Sequence, residues 1–273
     1  MAKLDVALAP PQIGEIGSFA ITNSMISAFA TSAVLIIFAI ILRRKLSLVP
    51  GRLQMFFEML IGMLYDKMVM AFGSEKRARK AFPLIFTIFL FLIVGNYFTF
   101  LPFIETIKTD GGSGTSIFTT PTAHYSLTIT LGLTMILAAH VVGLVMAPFN
   151  HINNFIKFKP FFKAIWHRRF KELPMAFIEL FLGLLDIIGE IAKVISISTR
   201  LFGNMFAGGV IIMIVSSLAF ATQFLVPLPF MVLGTITGIV QAFVFAMLGT
   251  LFMSGTINAA KPVEETEAKQ AEI

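Results

Sequence analysis

The chain has 273 residues, 57% hydrophobic and only 13% charged, with a formal net charge of +6 and no cysteine. A soluble domain carries about 25% charged residues, and the mean hydropathy here is +0.88, so disorder is excluded, a soluble enzyme is disfavoured, and the composition is that of an integral membrane protein. The missing thiols remove disulfides, thiolate catalysis, Cys-ligated zinc and iron–sulfur clusters from consideration.

Residues 1–19 lack a basic n-region and a cleavage motif and read as a short outer tail. Ile21 to Leu42 is an uncharged run of 22 residues, enough for one spanning helix. It stops at Arg43-Arg44-Lys45, and Pro50-Gly51 marks a turn. Residues 52–72 are apolar but interrupted by Glu58, Asp66 and Lys67. They predict an amphipathic helix at the membrane surface, or the start of a longer one. Phe82 to Phe103 is a second uncharged span containing Asn96, followed by a Gly/Ser/Thr loop over 104–120. Ser126 to Pro148 is a third span whose single ionisable residue is His140. Residues 173–221 are apolar yet hold Glu179, Asp186, Glu190, Lys193 and Arg200. As one helix they run about 1.5 Å per residue, far more than the bilayer core of about 30 Å, so the helix tilts or bends. Pro227 and Pro229 mark a break before a last apolar helix, about 230–257, and a charged tail.

The basic residues sort by loop. Nine Lys/Arg lie in 43–80 and six in 149–172, against Lys108 alone in 104–120. The Lys/Arg-rich loops belong in the cytoplasm, so the N-terminus is outside and the C-terminal tail inside. The high pI is a record of topology, and no nucleic-acid partner is expected. The fold class is an all-α integral membrane protein of about five to six membrane helices, two of them long, tilted and paired as a hairpin. The whole chain reads as one membrane domain: an outer tail (1–19), N-terminal spans (20–172), ion-path helices (173–258) and a cytoplasmic tail (259–273).

Charged residues inside a membrane segment are costly and functional by default. Glu179, Asp186, Lys193 and Arg200 are seven residues apart. Seven residues fall about 20° short of two helical turns, so these four form one slowly drifting stripe. Glu190 lies on or beside it, and Asn204 stands one turn past Arg200. A helix with this pattern lines a polar path. Two bland readings stand beside it. Lys193 neutralises Asp186 or Glu190 and does nothing else, and His140 is a packed, hydrogen-bonded histidine. Arg200 is different: its nearest acid in the helix is ten residues back, and arginine is never neutral. It calls for a negative partner on another helix or chain. Gln241, isolated in the last helix, needs a hydrogen-bond partner, with Arg200 or the same external carboxylate as candidates. The glycines around these residues suit close helix packing.

Arg200-Leu201-Phe202-Gly203-Asn204-Met205 with Ala207-Gly208 resembles the signature of subunit a of F-type ATP synthases. Gln241-Ala242-Phe243-Val244-Phe245 is similar to that family's final-helix motif, and Pro121-Thr122-Ala123 to another. The resemblance covers roughly residues 20–258. It implies a non-catalytic stator subunit of a rotary motor, held against the c-ring, with peripheral stalk b subunits, protons and the lipid bilayer as its other partners. It implies no cofactor, no metal and a bacterial inner membrane. On it, Arg200 matches the essential arginine, Asn204 and Gln241 its polar companions, and Asp186 and Lys193 positions often Glu and Lys or Gln. The chain departs from the family at Gly209 and Gly234, where many bacterial members carry an acid and a histidine, and at His124, commonly an acid. The outer path must then use other groups, with Glu179, Asp186, Glu190, His124 and His140 as candidates.

The implied mechanism moves protons through two half-channels. Protons enter from outside along the acidic stripe, neutralise a ring carboxylate, and leave to the cytoplasm after the carboxylate meets Arg200, whose charge favours its ionised form and blocks a leak. The alternatives are a secondary transporter, for which the expected repeats are missing, and an intramembrane enzyme, for which the four dispersed histidines and the lack of HExxH give no support.

Overall fold

A computed structural model of the chain describes residues 12–17, 19–97, 119–146, 173–218 and 226–259. The two basic and polar loops of the sequence, 104–118 and 149–172, and the tail beyond 259 lie outside the described residues.

The chain opens on an antiparallel hairpin, β1 (Gln12–Ile16) and β2 (Phe19–Thr22), turned at Gly17 with φ of 66°. Composition gave no sign of it. α1 (Asn23–Arg44) follows and ends on Arg43 and Arg44, where cations suit the negative end of a helix. α2 (Arg52–Phe72) is closed by Gly73 at φ 58°, a left-handed cap that glycine adopts without cost. It is therefore a separate helix, not the start of a longer one. α3 (Glu75–Tyr97) begins seven residues before the uncharged run does. It takes in the basic cluster Lys76 to Lys80, and Pro83 lies within it. A short 3-10 turn (Pro121–Ala123) leads into α4 (Tyr125–Met146). α5 (Leu173–Leu218) is one unbroken helix of 46 residues, about 69 Å long at the α-helical rise. α6 (Pro227–Ala259) has 33 residues. Its first residue is Pro227, whose missing N–H costs nothing there, so the expected break is the start of this helix.

Among the described residues, four helices, α1, α3, α4 and α6, are apolar and long enough to cross a membrane. α5 exceeds the bilayer thickness about twofold. α6 packs on α2, α3, α4 and α5. The shared core is built from Phe72, Phe89, Phe245, Met68, Met135 and Leu201. Small residues let the helices close up. A β-carbon at Gly132 of α4 stands 2.5 Å from Ser198 Oγ on α5, and one at Gly249 of α6 collides with the Met135 side chain of α4. α1 is the outlier: most of its side chains face outward, and only 11% of its span is buried.

Candidate functional site

α4 and α5 run antiparallel, and two contacts fix their register. The Tyr125 and Phe202 rings meet edge to face at 5.6 Å, and His140 Nε2 lies 3.5 Å from Glu190 Oε2. His124 and His140 are sixteen residues apart along the chain, about 24 Å of helical rise. The two candidate histidines therefore sit far apart along α4, and Arg200 lies near the level of His124, two residues before the Phe202 that meets Tyr125.

At the His124 end the polar groups are neutral and buried. Asn96 of α3 donates to the Gly238 carbonyl of α6 at 3.3 Å and accepts from the Thr122 hydroxyl at 2.6 Å. Thr119 donates its amide to Ser27 Oγ of α1 at 3.0 Å, and its hydroxyl lies 3.3 Å from His124 Nε2. The Nδ1 atom of His124 is buried and, among the described residues, has no hydrogen-bond partner. Burial holds the His124 imidazole below its ordinary pKa of 6.5, because an apolar setting disfavours the charged form. Ser24, Ser27, Thr31 and Thr128 are buried in the same half of the molecule. Sequence reasoning noted Asn96 and the Pro-Thr-Ala motif without joining them. The signal was a lone amide inside an otherwise apolar span.

Near the same level, Asn204 Nδ2 donates to Gln241 Oε1 at 3.0 Å. Gln241 is thus satisfied by Asn204 of the neighbouring helix rather than by Arg200. Arg200 is exposed, and among the described residues no carboxylate pairs with it. Arg200, Asn204, Ala207 and Ile211 share an open face of α5, at the i, i+4, i+7, i+11 spacing of one helical stripe. A side chain added at Gly209 meets nothing within 4 Å.

At the His140 end an acid and a base meet. Lys193 Nζ donates to Glu190 Oε1 at 2.6 Å and lies 5.2 Å from the centre of the Phe252 ring. Glu190 therefore holds Lys193 on one oxygen and meets His140 with the other. Of the two pairings open to Lys193, this is Glu190. His140 packs against the Glu190 carboxylate, in keeping with the packed histidine expected from the sequence. Asp186 is exposed one turn further along α5. Glu179 lies on α5 as well, and its side chain is outside the described ones. Among the described residues no three His, Asp or Glu side chains gather as a metal site.

The comparisons with known proteins agree with one another. The family described as "ATP synthase A chain" matches residues 25–254. The chain is similar to ATP synthase subunit a of Geotalea uraniireducens, at 31% identity over 92% of this chain and 93% of the relative. It resembles the subunit a of Geobacter sulfurreducens to the same degree, 31% over 93% of both chains, and that of Geotalea daltonii at 30% over 92% and 93%. With four helices fit to cross a bilayer and a matched region that spans the whole helical bundle, this chain belongs to the ATP synthase A chain family, the non-catalytic, ion-translocating subunits of the membrane sector.

Proposed function

We propose that the chain carries two half-paths for protons that end on either side of Arg200 and exchange with a carboxylate on a partner c-ring. The observation that carries this reading is the exposed Arg200, unpaired among the described residues, on a face shared with Asn204. A lone guanidinium in a membrane costs several kcal/mol. A carboxylate arriving from a moving partner offsets that cost and still leaves again.

The sides are assigned by helix direction. The Lys/Arg-rich loops lie inside, so α5 runs from inside to outside and α4 from outside to inside. The His124, Thr122, Asn96 and Thr119 end then serves the outer half-path. Glu190, His140, Lys193, Asp186 and Glu179 serve the inner one. This reverses the expectation that the acidic stripe forms the outer entrance. Seven-residue spacing specifies the side of a helix, whereas the half of the membrane depends on which way the helix runs.

A proton from outside passes along the neutral hydrogen-bonded end and neutralises the partner's carboxylate, which turns away through lipid. Returning from the other side, the carboxylate meets Arg200, and the opposite charge favours its ionised form. The proton leaves toward Glu190 and His140, whose second-oxygen contact gives it an acceptor. Arg200 between the half-paths repels a proton that attempts a direct crossing. No bond other than those to protons is made or broken in this chain. Peripheral stalk b subunits hold it still against the ring. The relatives are bacterial, and a bacterial inner membrane with the N-terminus outside fits the charge distribution.

The test is Arg200→Ala in the assembled complex. ATP synthesis and ATP-driven proton pumping both fall to background, and Arg200→Lys removes most of each, since a compact ammonium does not reproduce the forked guanidinium. Normal synthesis in Arg200→Ala overturns the reading.

A further inference from the structure

We infer that the gap between α1, α2 and α3 is a binding site for an anionic phospholipid. Two independent features meet there. The first is an apolar groove of about 280 Å³ lined by Leu35, Phe38 and Leu42 of α1, Phe57 and Ile61 of α2, and Leu90 of α3. Phe57 and Leu90 also line a second apolar groove, about 470 Å³, that continues between α2, α3 and α6. Two adjoining apolar channels suit the two acyl chains of one lipid. The groove exists because α1 stands apart. It touches α3 where Thr31 meets Gly95 and α2 where the Phe38 and Phe57 rings meet at 5.0 Å, and is otherwise loosely packed.

The second feature is charge at the groove's mouth. Leu42 lines the groove, and Arg43, Arg44 and Lys45 follow it directly. The connector is folded back onto α2 by Gln54, which accepts from the Ser47 amide at 3.2 Å and donates to the Ser47 carbonyl at 3.1 Å. Arg52, the first residue of α2, stands two residues before Gln54. All four cations are exposed, and none has an ion-pair partner among the described residues. The one nearby acid, Glu58, already accepts from Gln54 at 2.8 Å. Basic pockets beside membrane helices on the cytoplasmic side take up anionic headgroups. A phosphate with a net negative charge satisfies these cations, while its chains fill the apolar channels beneath.

The site is tested in the assembled complex, with Phe57 replaced by p-benzoylphenylalanine and the complex placed in vesicles of equal phosphatidylglycerol and phosphatidylcholine. Illumination followed by mass analysis of the chain reads the occupant. The expected adduct is phosphatidylglycerol, enriched about fivefold over phosphatidylcholine for each rim cation that reaches the headgroup. Arg43→Gln, Arg44→Gln, Lys45→Gln and Arg52→Gln together bring the ratio close to one. Ala39→Phe, which keeps every charge and fills the groove, lowers the total lipid adduct severalfold and so separates occupancy from any topological effect of lost arginines. Equal adducts of the two lipids, no lipid adduct, an unchanged yield in Ala39→Phe, or an adduct to a helix of another subunit each overturn the proposal.

Discussion

The close approach of α4 and α5 beside Arg200 makes a quantitative prediction at Gly132. A β-carbon there stands 2.5 Å from Ser198 Oγ, 3.1 Å from Ile197 Cγ2 and 3.4 Å from the Val194 carbonyl oxygen. The serine hydroxyl can rotate away. Ile197 cannot, because a β-branched side chain in a helix has essentially one χ1 well, and the Val194 carbonyl is backbone. Gly132→Ala therefore sets an overpacking cost of about 1–3 kcal/mol against a gain of up to about 1 kcal/mol from replacing a helical glycine, and the net lies between zero and about 2 kcal/mol. Gly132→Val adds two methyl groups to the same space and recovers only about a third of that propensity gain. Its net cost is about 2 kcal/mol or more, a factor of about thirty in the folding equilibrium. The strain falls on residues 194 to 198, immediately before Arg200, so proton pumping drops with stability. Unfolding of the chain and ATP-driven pumping in membrane vesicles are measured for Gly132→Val in the native background and in Ile197→Ala, where clearing the side chain that cannot turn away recovers part of what Gly132→Val costs. Gly203→Ala, where nothing lies within 4 Å, is the control and leaves the chain's stability intact. Wild-type stability in Gly132→Val, or no recovery in the double variant, refutes the packing argument.

The Asn204 and Gln241 bond couples α5 to α6, so a double-mutant cycle with both residues changed to Ala gives an interaction of about 0.6 kcal/mol and at most about 1.7; a coupling of zero shows that the bond does no work. His124 has its pKa lowered by burial, so between that value and 6.5 the unfolded chain binds more protons than the folded one. Its contribution is fully present above 6.5 and is lost as pH falls through that window. Thermal unfolding followed from about pH 8 to about pH 5 shows this loss in the native chain and a flatter profile in His124→Gln; equal slopes remove the assignment. Glu190→Gln slows pumping severalfold and flattens its dependence on the pH of the Lys/Arg-rich side alone, whereas flattening on the opposite side restores the outer assignment of the acidic stripe.

Much of the bundle is legible in the sequence because membrane helices announce themselves by length and apolarity. The residues 52–72 foreseen as an amphipathic helix are α2 to the residue, since Gly51 and Gly73 punctuate both ends. The misjudged boundary is the start of α3. The basic run Lys76 to Lys80 interrupts hydropathy, yet it consists of good helix formers, so the helix extends through it. The hairpin at 12–22 escaped notice because two short strands leave almost no periodic signal. At the site, spacing identified the residues of α5 and the isolation of Arg200. It did not pair Asn204 with Gln241 or His140 with Glu190, because each bond joins helices whose relative register is a tertiary property. The neutral network around Asn96 was hidden for another reason: threonine and serine are too common for any one of them to stand out, and only their convergence on one end of the bundle has meaning.

Lys193 has a consequence for Arg200. Glu190 is ten residues from Arg200, about 15 Å of helix. At that separation and an effective dielectric of about 20, two unit charges attract by about 1 kcal/mol, against about 4 kcal/mol for a pair 4 Å apart. Lys193 stands between them and takes Glu190 at 2.6 Å, so most of even the smaller figure is cancelled by an equal positive charge nearer to the acid. Had Lys193 been apolar, Glu190 would have been the strongest permanent attraction available to Arg200 on its own helix. With Lys193 in place the local acid is occupied and Arg200 keeps its full demand for a counterion. A stator arginine must release each carboxylate as readily as it binds the next, and a permanent partner would make it useless. On the proposed mechanism, the Glu190–Lys193 pair removes the small attraction that would otherwise compete for Arg200.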